Sequence, residues 1–146
     1  RSALHLEFDW TGTHDPTAWL CVPRALEFLG GLVEGGWPAI RERNRQLVLQ
    51  GRNHLATALN VSIPTEDALI GHLAALSLPD DPNAAEPSPL YGTALQEELI
   101  SEFGIEVPIV PWPSHPKRLV RISGALYNDA SQYVVLGKAL NKILPC

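Results

Sequence analysis

Apolar residues recur along this chain at two periods, and the switches between them mark out its elements. Leu4, Leu6 and Phe8 alternate with His5, Glu7 and Asp9, the period of a half-buried strand or extended segment. Trp19, Leu20, Val22, Leu26, Leu29 and Leu32 then fall at helical spacing. Pro23 lies inside that run, and its missing donor and its clash with the preceding turn predict a short first helix or turn, then a main helix over about Pro23 to Leu32. Gly30-Gly31 and Gly35-Gly36 bracket a break. Trp37-Pro38 opens the longest helix, to about Leu59, with proline in the first turn. Ile40, Leu47, Leu55 and Leu59 share one side of it, while Arg41, Arg43, Arg45 and Arg52 lie mostly on others as a solvated or interface-pairing stripe to which no site is assigned.

After a polar turn over Pro64 to Asp67, the run Ile70 to Leu78 reads as a strand, with His72, Ala74 and Leu76 on one face and Leu73, Ala75 and Ser77 on the other, so His72 is expected to be structural. Pro79 to Pro89 is rich in proline and carboxylates and reads as an exposed loop. Ser88-Pro89 supplies a helix start, and Leu95, Leu99 and Phe103 form an apolar seam that ends at Gly104. Ile105, Val107 and Ile109 alternate as a strand whose Pro108 and Pro111 suit an edge. Ser114 to Lys117 makes a turn into a second arm, Arg118 to Ser123, in which Val120 and Ile122 face one way and Leu119, Arg121 and Ser123 the other. Asn128-Asp129 caps a last helix carrying Tyr133, Leu136, Leu140 and Ile143 at helical spacing. Together these predict an α+β fold, a small and mainly antiparallel sheet covered by helices.

Composition narrows the classes of function. A chain of 146 residues with 45% hydrophobic content can bury a real core. A net charge of −5 argues against broad attraction to nucleic acid or an anionic membrane, and favours a small-molecule or protein partner. No run approaches the roughly 18 apolar residues of a membrane span, and the amino end lacks a secretory pattern, so a cytoplasmic protein is expected. Cys21 and Cys146 are the only cysteines and neither belongs to a CxxC or Cys/His cluster, which disfavours a disulfide framework and a metal site. The absence of methionine and the start at Arg1 suggest the carboxy-terminal part of something longer.

Two places carry candidate chemistry. Thr11, Gly12 and Thr13 precede a helix-like run, so two hydroxyls, a permissive backbone and helix N–H groups converge as an anion site. Asp15-Pro16-Thr17 reads equally as an ordinary helix start with a capping side chain. Arg121, in the middle of an apolar strand, either grips a carboxylate ligand through its planar guanidinium or pairs with Glu106 or another neighbouring carboxylate, or points to water. No nucleophile elbow, dinucleotide fingerprint or P-loop is present, so no catalytic residue is assigned.

The stretches Phe8-Asp9-Trp10-Thr11-Gly12-Thr13-His14-Asp15-Pro16 and Leu119-Val120-Arg121-Ile122-Ser123-Gly124-Ala125-Leu126-Tyr127-Asn128 together resemble class V aminotransferase-family enzymes, the isopenicillin N epimerase-like branch above all. Gly36-Trp37 to Arg45 and Ile105 to Trp112 extend the resemblance in order along nearly the whole chain. It implies the carboxy-terminal region of a fold type I enzyme dependent on pyridoxal 5'-phosphate: residues 1–35 as the end of the large-domain region with a phosphate-contacting loop, and 36–146 as the small domain. By that resemblance Gly12 and Thr13 contact the cofactor phosphate in the neighbouring subunit of a homodimer, and Arg121 holds the substrate α-carboxylate. His14 stands where many relatives carry a larger basic residue. The Schiff-base lysine is expected upstream of this chain, since Lys117, Lys138 and Lys142 sit in no matching motif. The implied activity is on the Cα of an amino acid or short peptide, as an epimerase or as a cysteine desulfurase or C–S lyase, with the full-length enzyme active and this chain alone inactive. The reading from another class is a non-catalytic α+β ligand-binding or dimerisation module.

Overall fold

Two units divide the chain, Arg1–Ala39 and Ile40–Cys146, in a computed structural model that describes residues 2–10, 12–82 and 92–144. The first unit is helical. Helix α1 (Ala3–Phe8) begins at Ser2, whose hydroxyl accepts from the His5 amide. This corrects the expected strand: Ala3, Leu4, Leu6 and Glu7 are good helix formers, no β-branched residue opposes them, and with no residue of α1 buried the alternation of Leu4, Leu6 and Phe8 reports no buried face.

Helix α2 (Thr17–Gly30) runs unbroken through Pro23, a second correction. Proline inside a helix leaves one carbonyl without its donor. On α2 that carbonyl belongs to Trp19, on a stretch exposed in this chain, where its loss of an intrahelical donor costs little. The two glycine pairs do mark the break. Gly35 and Gly36 take φ of +85° and +58°, a region that side chains disfavour, and Trp37 packs its indole against Gly30 while donating to the Leu26 carbonyl at 3.1 Å.

The second unit holds the core. Helix α3 (Gly36–Leu59) leads, after a 3-10 turn at Asp67–Leu69, into β1 (Leu73–Leu78); α4 (Ala94–Phe103), β2 (Ile109–Pro111), β3 (Arg118–Ser123) and α5 (Ala130–Ile143) follow. The strands form an antiparallel sheet in the order β1-β3-β2. Pro111 therefore lies on an edge strand, as its missing donor requires, and the outer position agrees with the expectation, but the strand runs over Ile109–Pro111 rather than from Ile105, whose amide instead closes α4 on the Leu99 carbonyl. One face, with Ala74, Leu76, Leu78, Val120, Ile122 and Ile109, packs against Leu47, Val48 and Leu55 of α3, Leu95 and Leu99 of α4, and Tyr133, Leu136 and Leu140 of α5 in one apolar cluster. This is the α+β arrangement that the periodicity predicted.

Local signals fix the ends. Gly104 closes α4 at φ +64°, and Thr93 opens it through a capping box with Gln96; the expected start at Ser88-Pro89 falls outside the described residues, as does most of the proline-rich loop. Asp129 and Gln132 make the same box at α5. Ser114 to Lys117 turns as expected, the Lys117 amide donating to the Ser114 carbonyl at 3.0 Å. His72 precedes β1 rather than lying in it; its ring is exposed, and only its carbonyl takes part, accepting from the Gly124 amide at 2.9 Å.

Three arginines of the α3 stripe, Arg43, Arg45 and Arg52, are structural clamps, while Arg41 is exposed. Arg52 is 2% exposed, donating to Asp67, Asn53 and the Thr65 carbonyl. Its place on the polar side is thus corrected: α3 buries it because the turn at Asp67 offers partners that satisfy the guanidinium. Arg45 donates to the Ile70 and Asp67 carbonyls, and Arg43 to those of Ala125 and Asn128.

Candidate functional site

Arg121 occupies the middle of β3, the central strand, with Ala75 opposite it on β1. On its other side the Arg121 amide donates to the Pro108 carbonyl at 3.1 Å. Val120 and Ile122 are buried on the core face, so strand alternation sends Arg121 to the opposite, exposed face. Both sheet neighbours are small and uncharged, and no carboxylate among the described residues pairs with it. The alternative of a Glu106 ion pair is not realised: both residues line one open groove without an ion pair between them. A guanidinium with its donors free on a rigid strand is a ready bidentate receptor for a carboxylate.

The groove measures about 500 Å³ and is walled by Glu106, Arg121, Ser123, Tyr127 and Gln132. One wall is the turn after β3, and its backbone is held twice over. Within it, the Asn128 amide donates to the Ala125 carbonyl and the Asn128 side chain accepts from the Ala125 amide, each at 3.0 Å. From outside, Arg43 donates to the Ala125 and Asn128 carbonyls at 3.1 and 3.2 Å. The next residue, Asp129, is held below the usual carboxylate range by the Ser131 hydroxyl and then by the Ser131 amide, which both donate to it. Sequence reasoning selected Arg121 but missed Tyr127 and the braced turn, whose signal is a pattern of backbone bonds rather than a periodicity.

In the first unit, Gly12 has φ +107° with nothing within 4 Å of where a Cβ would lie. Only glycine adopts that backbone freely, so it leaves open space beside the loop for a ligand. Thr13 is exposed and its hydroxyl has no partner among the described residues; Thr11 lies outside them. The first amide of the helix behind the loop is already taken. Asp15 accepts from the Thr17 amide at 2.9 Å and from the Thr17 hydroxyl, and these bonds, the hydroxyl's first, lower its pKa. The expected helix-start role is thus present, with Pro16 as the cap residue and the Asp15 carboxylate taking the Thr17 amide. Thr13 and Arg121 belong to different units, each described within its own.

No family model matches the chain. It is 32% identical over 134 residues to isopenicillin N epimerase of Amycolatopsis lactamdurans, an alignment covering 90% of this chain and 30% of that protein. The isopenicillin N epimerase of Streptomyces clavuligerus is 31% identical over the same shares. A protein of Oryza sativa subsp. japonica assigned as L-cysteine desulfhydrase 1 is 28% identical over 98% of this chain and 32% of its own length. The chain is a relative of the class V aminotransferase-like enzymes. It spans about 30% of the length of the curated relatives it matches.

The relatives are pyridoxal-phosphate-dependent enzymes, and the residues present offer contacts for a phosphate and, separately, for a carboxylate such as a substrate's. A free threonine hydroxyl beside a glycine with open space suits a phosphate oxygen, and an unpaired arginine on an open sheet face suits a carboxylate. Among the described residues no group of three or more His, Cys, Asp and Glu could hold a metal ion, and no helix is long and apolar enough to cross a membrane.

Proposed function

We propose that this chain is the carboxy-terminal portion of a pyridoxal-phosphate-dependent enzyme acting at the Cα of an amino acid or short peptide, of the isopenicillin N epimerase-like kind. Residues 1–35 end its large-domain region and 36–146 form its small domain. Bound there, the cofactor supplies the electron sink that makes the Cα proton labile. Arg121 binds and orients the substrate α-carboxylate, and Thr13, with Gly12 beside it, donates to the cofactor phosphate. The single observation that carries the reading is Arg121, unpaired and exposed at the centre of β3 with small neutral neighbours. The desulfurase or C–S lyase reading shares the same anchors and keeps its support from the rice relative.

The partners follow from the first unit. Residues 2–10 and 12–39 include no buried one, yet they expose Leu6, Phe8, Trp10, Trp19, Leu20 and Phe28. So large an apolar area in so short a stretch suits a surface covered by other chain. The remainder of the same polypeptide and a second subunit of a cytoplasmic homodimer are the occupants that the family reading supplies. The decisive test is the source gene upstream of Arg1: a lysine-bearing large domain is expected. Its absence leaves the non-catalytic module as the reading. With the upstream part present, the purified protein should retain pyridoxal phosphate, seen as its visible absorbance after gel filtration.

A further inference from the structure

We propose that Tyr127 is a specificity-determining residue, the wall of the Arg121 groove that selects ligands by length and favours amino acids with an extended side chain over three-carbon ones. The inference rests on Arg121 as the carboxylate receptor. Tyr127 is 86% exposed, and none of the other exposed large apolar side chains exceeds it. An exposed ring on a loose loop would carry little meaning. Here the backbone of the turn is closed on itself by Asn128 and clamped from α3 by Arg43, so the ring is held out into solvent by a rigid support. A tyrosine presented in that way offers apolar area with few rotamers to freeze, and therefore gains more on contact than a flexible side chain does.

The groove's size sets what the ring touches. At about 30 Å³ for each water-sized group, a volume of about 500 Å³ has room for roughly fifteen of them. A three-carbon amino acid fills less than half. Arg121 and Tyr127 line the same groove, so a three-carbon ligand anchored by its carboxylate on Arg121 leaves much of it to water, whereas a longer one has the length to extend toward the ring. The selection is thus a matter of apolar area buried against one ring.

The test is a nitrogen-15 NMR titration of this chain with acetate, L-alanine and L-norleucine, followed at the Arg121 Nε and at the Tyr127 amide. Acetate should perturb Arg121, and norleucine should bind about threefold or more tighter than alanine, the gain from one or two buried methylenes. Tyr127→Ala should bring that ratio to one, and Tyr127→Phe, which keeps the ring, should preserve it. Equal binding of norleucine and alanine by the unaltered chain, or a ratio that survives Tyr127→Ala, overturns the role of Tyr127 alone. An Arg121 Nε unmoved by any of the three ligands overturns the carboxylate receptor itself, and the selection by Tyr127 with it.

Discussion

The ring of Tyr133 on α5 lies directly on the backbone of Gly51 on α3, so close that a Cβ at Gly51 would fall 2.6 Å from the ring's Cγ. No real Cβ contact is that short, and glycine is what lets the two helices approach. Gly51→Ala sets two effects against each other. Alanine improves helix propensity by about 1 kcal/mol, while overpacking a filled site costs about 1–3 kcal/mol. The ring cannot retreat freely, because its hydroxyl donates to the Ser123 carbonyl at 2.6 Å. Packing is therefore expected to win, with a net loss of up to about 2 kcal/mol in urea unfolding and an altered Tyr133 ring environment by NMR.

Tyr133 also gives stability a dependence on alkaline pH. Burial, above all, raises its phenol from the ordinary value of 10.0; the Asp129 charge adds to the rise and the Arg43 charge opposes it. The folded group thus ionises later than the unfolded one. Its contribution is fully present below about pH 10 and declines as pH rises through the folded value. Unfolding free energies measured from about pH 8 to pH 11 should fall more steeply for the unaltered protein than for Tyr133→Phe. That variant should lose about 0.5–1.5 kcal/mol at neutral pH with its hydrogen bond. Parallel profiles would remove Tyr133 as the titrating group.

Much of this second unit was legible because burial there follows the periods of regular structure. Val120 and Ile122 are core because they alternate with Arg121, and the same alternation put Arg121 on the open face. Leu95, Leu99 and Phe103 ended at Gly104 as helical spacing and a left-handed cap require. Two of the failures fall where no core enforces the pattern. Leu4, Leu6 and Phe8 alternate but bury nothing, so local propensity decides and gives a helix. Pro23 breaks no helix, since the carbonyl it orphans lies on an exposed stretch. Arg52 is buried because a distant turn brings Asp67 to it, a pairing that no local spacing announces. Tyr127 escaped for a similar reason: its importance lies in a turn braced by Arg43, far away in sequence.

Arg52 and Asp67 allow a test of that distant pairing. The guanidinium is buried, whereas the Asp67 side chain is 62% exposed. Asp67→Ala strips the carboxylate partner from a buried cation and leaves it the Thr65 carbonyl and Asn53. A loss of about 1–3 kcal/mol is expected, the cost of a buried donor without its acceptor. Asp67→Asn keeps an acceptor oxygen at the same place and should lose less than half as much. Equal losses for the two variants in urea unfolding would show that the turn at Asp67, rather than the guanidinium contact, sets the stability.

On the proposed function the two anchors should separate in the full-length enzyme, with Arg121 expected to act on substrate and Thr13 on cofactor. Arg121→Ala removes a charge-assisted contact worth about 1.5–3 kcal/mol in all, so KM should rise roughly tenfold to a hundredfold. Cofactor content should stay unchanged, since the side chain has no partner among the described residues whose loss would disturb the fold. Arg121→Lys should recover only part of the loss, since an ammonium keeps the charge but cannot grip both carboxylate oxygens through a planar fork. Thr13→Ala should do the reverse, speeding the loss of pyridoxal phosphate on dialysis while the KM of the fully loaded enzyme moves little. A single variant that changed both properties together would mean that the loop and the strand act on one shared group, and the assignment of separate roles to Thr13 and Arg121 would fall.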